Sequence, residues 1–546
     1  MTANHLAKAI GFVLALSIPA NALAEDQRPK LVVQLTVDQL PSGYLQRFAP
    51  ALDDGFAEVL ENGTSDIDGE VDHAITNSAP GHATLSTGSY PATHGYSANE
   101  WWDFVDGKWT WIDGAADSAS QVLGEAERTG YSPINMKVPA LGDWIISADP
   151  QSKSVAIGAS EVTVMYAGKR GQHAYWYDRE AGRFITSSHY RDEHPDWVDR
   201  FNRERLPAFK LETWELNVPE VHLGLADSDD RPYESFGEHY TFPHRFADEF
   251  DPDHERDRQT QLDYWFYETP MADIATIALA KQAIRAEELG QRDHTDYLSI
   301  ALGASDNIGH IYGGYSLEAL DMMIRIDREL GELITFLDSE VGKGKYVLAI
   351  SSDHGAPAPI ERTLEAGQDA YRIPNEEIDA LLDRVDQIGN EHKGNRQELI
   401  DKIERELEGA DFIEDAITED EIFGRRATTN PLMPLFRKSW VRGRIPDFPL
   451  WTSTPNRIHH PARYGIFAQF RENTYFSYGV VVHGSAYDYD RTVPVIFYGA
   501  GVTAGTIDDL KTTDVAPTLA WLVGLEAPGF VDGKVVTQVA GTSTAQ

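Results

Sequence analysis

Four apolar runs in this chain, each with the length and make-up of a buried β-strand, run out into an aspartate or a histidine. "KLVVQLTVD" ends at Asp38, "YLSIALGASDNIGH" leads to Asp306 and His310, "KYVLAISSDHG" closes on Asp353 and His354, and "YGVVVHG" ends at His483. Between several of them lie stretches such as "GYLQRFAPALDDGFAEVLENG" and "SLEALDMMIRIDRELGELITFLDS", whose apolar residues recur at helical spacing. This βαβ rhythm predicts an α/β fold with a mostly parallel central sheet flanked by helices on both faces. Ligands of such sheets bind beyond the carboxyl ends of the strands, and the six side chains fall there.

Two segments interrupt the rhythm. Residues of about 126–270 mix short β-like pieces with the acidic stretch "ADSDDRPYESFGEHYTFPHRFADEFDPDHERD". Residues of about 361–455 carry charged amphipathic helix patterns ("IDALLDRVDQ", "RQELIDKIERELEG") and then a loop rich in proline and arginine. Essential strands lie on both sides of each, so both are expected to be insertions that cap the active edge of a single domain spanning 25–546. Residues 1–24 are expected to be a signal peptide: Lys8 precedes "AIGFVLALSI", and Ala22-Leu23-Ala24 offers small residues for cleavage. The apolar run is short of the roughly 20 residues a bilayer span takes, so an exported, periplasmic or secreted protein with no membrane span is expected.

The chain has no cysteine, which removes disulfides, thiolate ligands and a cysteine nucleophile. Its formal net charge of −40 repels nucleic acid and acidic membranes. An anionic substrate would need a strong local positive field, and two divalent cations would provide one. Zinc accepts carboxylate oxygen and imidazole nitrogen, and a catalytic site keeps a position open. Asp306 and His310 can be delivered from one turn after a strand, and Asp353 with His354 from another. "TNSAPGHATLSTG" offers the hydroxyl of Ser78, either as a turn residue that caps a helix or as a nucleophile whose charge a helix N-terminus stabilises.

The set resembles the alkaline phosphatase superfamily, and most of all the phosphate-irrepressible periplasmic alkaline phosphatases and their nucleotide pyrophosphatase/phosphodiesterase relatives. The resemblance runs from about Lys30 to Val535 and includes "VDQL", "APGHATLSTGSYPATHGYSANEWWD", "DNIGHIYG", "SSDHGA", "HGSAYDYDRTVPVIFYGAG" and "TTDVAPTLAWLVGLEAP". It implies two zinc ions, one held by Asp306, His310 and His483 and the other by Asp38, Asp353 and His354. Ser78 would be the nucleophile and would also touch the second metal, at a place where these families more often carry threonine. Asn99 would contact a phosphoryl oxygen, helped by backbone N–H groups beside Ala79. The implied route has two steps, with a phosphoserine on Ser78 formed by in-line attack and then hydrolysed by water. The expectation is a monomer acting on a small-molecule phosphoester.

One departure bears on the substrate. The phosphate-irrepressible enzymes carry a Lys-x-Arg pair after a strand, for the extra charged oxygens of a monoester. The matching stretch here, "IGASEVTVMYAGKRGQHAYW", is expected to put Val162 and Val164 at those places, with Lys169 and Arg170 close behind as surface cations or as substitutes. That leans the reading toward phosphodiesters, with a phosphomonoesterase as the alternative. A sulfatase is disfavoured because Ser78-Ala79-Pro80-Gly81 runs into His82 rather than arginine, and a non-catalytic metal or phosphate binder because Ser78 is retained. A Ser-His-Asp hydrolase finds no G-x-S-x-G elbow. Trp101, Trp102, Phe104, Trp109 and Trp111 suggest a hairpin packed on the core, or a wall beside the leaving group.

Overall fold

Strand β1 (Leu31–Val37) is buried at every residue, and its side chains divide between two cores. Leu31, Val33, Leu35 and Val37 join one apolar cluster and Val32 the other, as the two-residue period of a strand covered on both faces requires. The chain was analysed as a computed structural model describing residues 28–105, 108–446, 464–476 and 479–540. The expected signal peptide, 1–24, and the end of the second expected insertion, 447–455, lie outside the described residues.

The central sheet adds to β1 the strands β2 (Thr64–Glu70), β3 (Ser154–Gly158), β4 (His173–Asp178), β5 (Arg183–Ile185), β6 (Asp296–Leu302), β7 (Tyr346–Ser351), β8 (Thr492–Gly499) and β9 (Gly505–Thr506). Its order is β9-β2-β8-β7-β1-β6-β3-β4-β5. The central run β7-β1-β6-β3-β4 is parallel, and antiparallel pairings stand on either side of it. The expected architecture, α/β with a mostly parallel sheet, is the one observed.

Helix α1 (Ser78–Thr87) crosses one face, while α2 (Pro270–Ala286) and the 21-residue α4 (Leu317–Leu337) cover the other. The short α3 (Ala304–Tyr312) leaves the end of β6. The long helix begins at Ser316, whose hydroxyl accepts the Ala319 N–H, an N-cap of the usual kind.

The boundary of the first expected insertion needs correction. Residues 154–185 supply β3, β4 and β5, three strands of the main sheet. They read as inserted because "HAYWYD" is aromatic rather than aliphatic, although a strand buried on both faces accepts either. The rest of 126–270 does lie outside the sheet. The segment from Ile360 onward builds a core of its own around helices α5 (Asn375–Glu391) and α6 (Arg396–Glu408). The tryptophan-rich stretch is a hairpin, Glu100–Val105 against Lys108–Asp113, joined by Arg444–Pro446 from the second insertion. Trp101 is fully buried and Trp111 half exposed.

Candidate metal centre and substrate cavity

The carboxyl ends of β1, β6 and β7 deliver Asp38, the Asp306–His310 helix turn and the Asp353–His354 pair to one place, and His483 arrives from the loop before β8. Two groups of ligand atoms fall within 4.8 Å of one another: Asp306, His354 and His483, and Asp38, Asp353 and His354. His354 thus stands between the two expected sets. His310 joins the first through its Nε2, 3.3 Å from Asp306 Oδ1.

Each imidazole is fixed by the nitrogen that faces away. Nδ1 of His310 lies 2.7 Å from Val481 O, that of His483 2.8 Å from Thr76 O, and that of His354 3.1 Å from Gly355 O. A ring that donates Nδ1–H to a carbonyl presents a lone pair at Nε2. Those lone pairs face carboxylate oxygen: His483 Nε2 is 3.4 Å from Asp306 Oδ1, and His354 Nε2 is 3.4 Å from Asp38 Oδ1 and 3.3 Å from Asp353 Oδ2. Asp38 Oδ1 and Asp353 Oδ2 are buried and accept no hydrogen bond. Acceptors facing acceptors in a buried place is the arrangement that a cation resolves, so the residues fit a pair of divalent ions.

The electrostatics agree. Burial and then the neighbouring Asp353 and Asp306 carboxylates push Asp38 well above the usual carboxylate range. Burial likewise pushes His354 down to about 4, which keeps its ring neutral for ligation.

Ser78 opens α1, and its Oγ lies 3.5 Å from His354 Nε2. The helix packs hard against β7's end: a Cβ at Gly81 would stand 2.4 Å from Asp353 O, so only glycine lets the Ser78 helix and the Asp353 turn meet there. One turn on, His82 Nδ1 is 2.9 Å from Ser78 O and 3.2 Å from Asp353 Oδ2, linking the two. Asn99 lines the cavity, but its Oδ1 accepts the Ala79 N–H at 2.8 Å. The Ala79 N–H, at the place where backbone donors for substrate were expected, is thus used to hold Asn99.

Several positioning residues escaped the sequence reading. Gln39 has a left-handed backbone (φ 56°), donates Nε2–H to Asp306 Oδ1 at 2.5 Å and its backbone N–H to Asp353 Oδ1 at 3.3 Å. Asp273 accepts the N–H groups of Gly303, Ala304 and Ser305, fixing the turn that aims Asp306. Asp490 accepts from Gly484 N, Ser485 N and Ser485 Oγ, fixing the turn after His483. Gln39 and Asp490 lie in stretches quoted above, "VDQL" and "HGSAYDYDRTVPVIFYGAG", but nothing local marks what these side chains hold in place.

The cavity above these groups measures about 730 Å³ and extends sideways along the ends of β3 and β4. Here the expected loop register is corrected. A tight turn at Glu161–Thr163 follows β3; Val164 is buried in the core, Val162 is half-buried at the cavity edge, and the charged side chain facing the cavity is Glu161. Lys169 and Arg170 do not line the cavity. Their backbone N–H groups donate to Asp143, and Arg170 Nη1 donates to Ser147 Oγ. Among the described residues, the guanidinium groups that line the cavity are Arg128 and Arg179.

Among known proteins, residues 32–447 match the family model described as type I phosphodiesterase / nucleotide pyrophosphatase. The chain is 28% identical over 542 residues to alkaline phosphatase PhoV of Synechococcus elongatus, covering 94% of this chain and 93% of that protein. It is 27% identical over 546 residues to alkaline phosphatase PafA of Elizabethkingia meningoseptica, covering 94% and 95%. A crystal structure of wild-type PafA superposes with a TM-score of 0.82 and 25% identity, covering 95% of this chain and all of that one.

Proposed function

We propose that this chain, which belongs to the type I phosphodiesterase / nucleotide pyrophosphatase family and is a metal-dependent phosphoric ester hydrolase, works with two zinc ions through a phosphoserine on Ser78 and prefers phosphodiesters. The observation that carries the reading is the set of three histidines tied back by Nδ1 while Nε2 meets buried carboxylates beside a serine at a helix start. Asp306, His310 and His483 would hold one ion, and Asp38, Asp353 and His354 the other. When bound, the ions would lower the pKa of the serine hydroxyl and neutralise phosphoryl oxygens.

The chain's own groups do the rest. Ser78 Oγ attacks phosphorus in line with the leaving oxygen, and the N-terminus of α1 favours the negative charge collected there. Asn99, oriented by its bond from Ala79, donates Nδ2–H to an equatorial oxygen. Water then displaces Ser78 from the phosphoserine. Residues 1–24, if they act as the expected leader, would direct the enzyme to the periplasm or beyond. Among the described residues no helix is long and apolar enough to cross a membrane.

The diester preference is supported by Glu161. Its carboxylate faces the cavity in the loop where a monoesterase of this kind would keep cations, and a dianionic monoester is repelled by it more than a monoanionic diester. The second reading, a phosphomonoesterase, has its own support in two relatives named alkaline phosphatases that align along nearly the whole chain. Initial rates with a 4-nitrophenyl phosphate monoester and a 4-nitrophenyl alkyl diester, before and after chelation and with zinc restored, decide between them. The diester is expected to be the faster substrate, with both activities lost on chelation. Faster monoester turnover would establish the second reading.

A further inference from the structure

We infer that Arg179 forms a separate anion-binding subsite, which takes a carboxylate or phosphate at the far end of the substrate's ester arm. The inference rests on the phosphodiesterase reading above. Arg179 follows β4 and opens into the cavity. Arg128, beside it, is neutralised: its guanidinium donates to both oxygens of Asp178 and to Glu125. Arg179 has no carboxylate within ion-pair distance among the described residues. It is held by stacking instead, with Cζ 4.8 Å from the Tyr267 ring and 5.2 Å from the Tyr264 ring. Such a stack orients the planar fork while leaving its N–H donors free.

The position argues against a role at the phosphoryl group itself. Asp306 follows β6, and β3 lies between β6 and β4, so the backbone of β4, which leads to Arg179, runs two strand spacings, about 10 Å, from that of β6. Tyr267 fills the interval: its hydroxyl lies 3.1 Å from where a Cβ on Gly303 would be, at the start of the turn that carries Asp306, and its ring underlies the guanidinium. On that neighbouring part of the cavity lining, Arg179 is placed for a substituent extending from a phosphoryl group held at Ser78. The lining on the way mixes rings and carboxylates: Tyr264, Tyr267 and Phe236, the last 62% exposed, stand among Glu161, Glu180 and Glu268. Ser235 and Phe236 both adopt left-handed backbone (φ 45° and 56°), a conformation costly for residues other than glycine and one that turns this ring toward the opening. In a chain of net charge −40, an arginine stacked on two tyrosine rings, with no ion-pair partner among the described residues, is a recognition element for a carboxylate or phosphate.

The test uses two 4-nitrophenyl alkyl phosphodiesters with arms of equal length, one ending in a carboxylate and the other in a methyl group, and a third ending in phosphate to separate the two anions. Wild type is expected to favour an anion-ended arm by about tenfold or more in kcat/KM, as a charged hydrogen bond predicts. Arg179→Met should remove that preference through KM and leave the methyl-ended substrate within twofold, and Arg179→Lys should keep part of it. Calorimetric binding of matched, non-hydrolysable phosphonates reads the same preference without turnover. Equal binding of both arms by wild type, or equal damage to both by Arg179→Met, would overturn the subsite. Preserved arm preference in binding with no hydrolysis of any diester would instead count against the phosphodiesterase reading.

Discussion

At one end of the cavity every reactive side chain is tied down from behind. Asp353 and His354 are wholly buried, the three imidazoles are locked by backbone carbonyls, and Asp273 and Asp490 each hold a ligand-bearing turn with three hydrogen bonds. At the other end, Arg179 rests on two tyrosine rings, Glu161 has no ion-pair partner among the described residues, and Phe236 stands out at the rim on a short strained turn. The first end is built from strand termini of the central sheet, and the second largely from loops. Rigid elements are suited to chemistry that tolerates little displacement, and loops to recognition that must be tuned. The reaction class should therefore be robust to changes at the second end, and the choice of substrate sensitive to them.

The strongest way to break that division is to remove the proposed nucleophile. Ser78→Ala is expected to lower kcat/KM on the best diester by about 10³-fold or more, while arm preference in binding, read on the phosphonates, stays as in wild type. Loss of arm preference together with activity would mean that the two ends are one unit. Retained turnover would mean that Ser78 is not the nucleophile.

A smaller effect is expected from behind the ligands. His82 touches no cavity atom, but it joins Ser78 O to Asp353. Groups that orient metal ligands are worth about 10- to 100-fold in metal affinity. His82→Ala should weaken zinc binding by that order, as read by chelator competition, with activity recovering as zinc is raised. Activity that stays low at saturating zinc would assign His82 a role beyond holding Asp353.

How far these two ends were legible in the sequence follows from their construction. Asp38, Asp306 and Asp353 announce themselves because an apolar strand precedes each, and strand ends are where such folds bind ligands; His483 follows an apolar run that reads as a strand but whose described residues, 479–483, form a loop. His310 and His354 follow at spacings that one turn can deliver. The loop after β3 gives no such signal. Choosing Val162 and Val164 rather than Glu161 is a one-residue matter in a tight turn, where no period relates sequence to facing. Arg179 is one charged residue in a charged turn, "DRE", and its importance appears only once β4 is known to be a sheet strand next to β3. Gln39, His82 and Asp273 act through contacts between distant segments, which no local pattern encodes, and Asp490 closes a turn onto Gly484 and Ser485.

The smallest effect sharpens the comparison most, because it lies wholly at the recognition end. Glu268 lines the cavity near Arg179, and burial, reinforced by Glu249, pushes its carboxyl up to about 7 against the opposing pull of Arg179. Below that pH Glu268 is neutral and leaves Arg179 to the substrate; above it, the carboxylate competes for the same guanidinium. The preference for an anion-ended arm should thus fall as pH rises from 6 to 8, by about threefold if Glu268 withdraws half the strength of a charged hydrogen bond. The ratio of kcat/KM for the two arms is the proper readout, since it cancels any titration at the metal ligands common to both substrates. In Glu268→Gln the ratio should stay high and level across that range. A slope that persists in this variant would transfer the titration to another group, and a level ratio in wild type would show that Glu268 does not compete for Arg179.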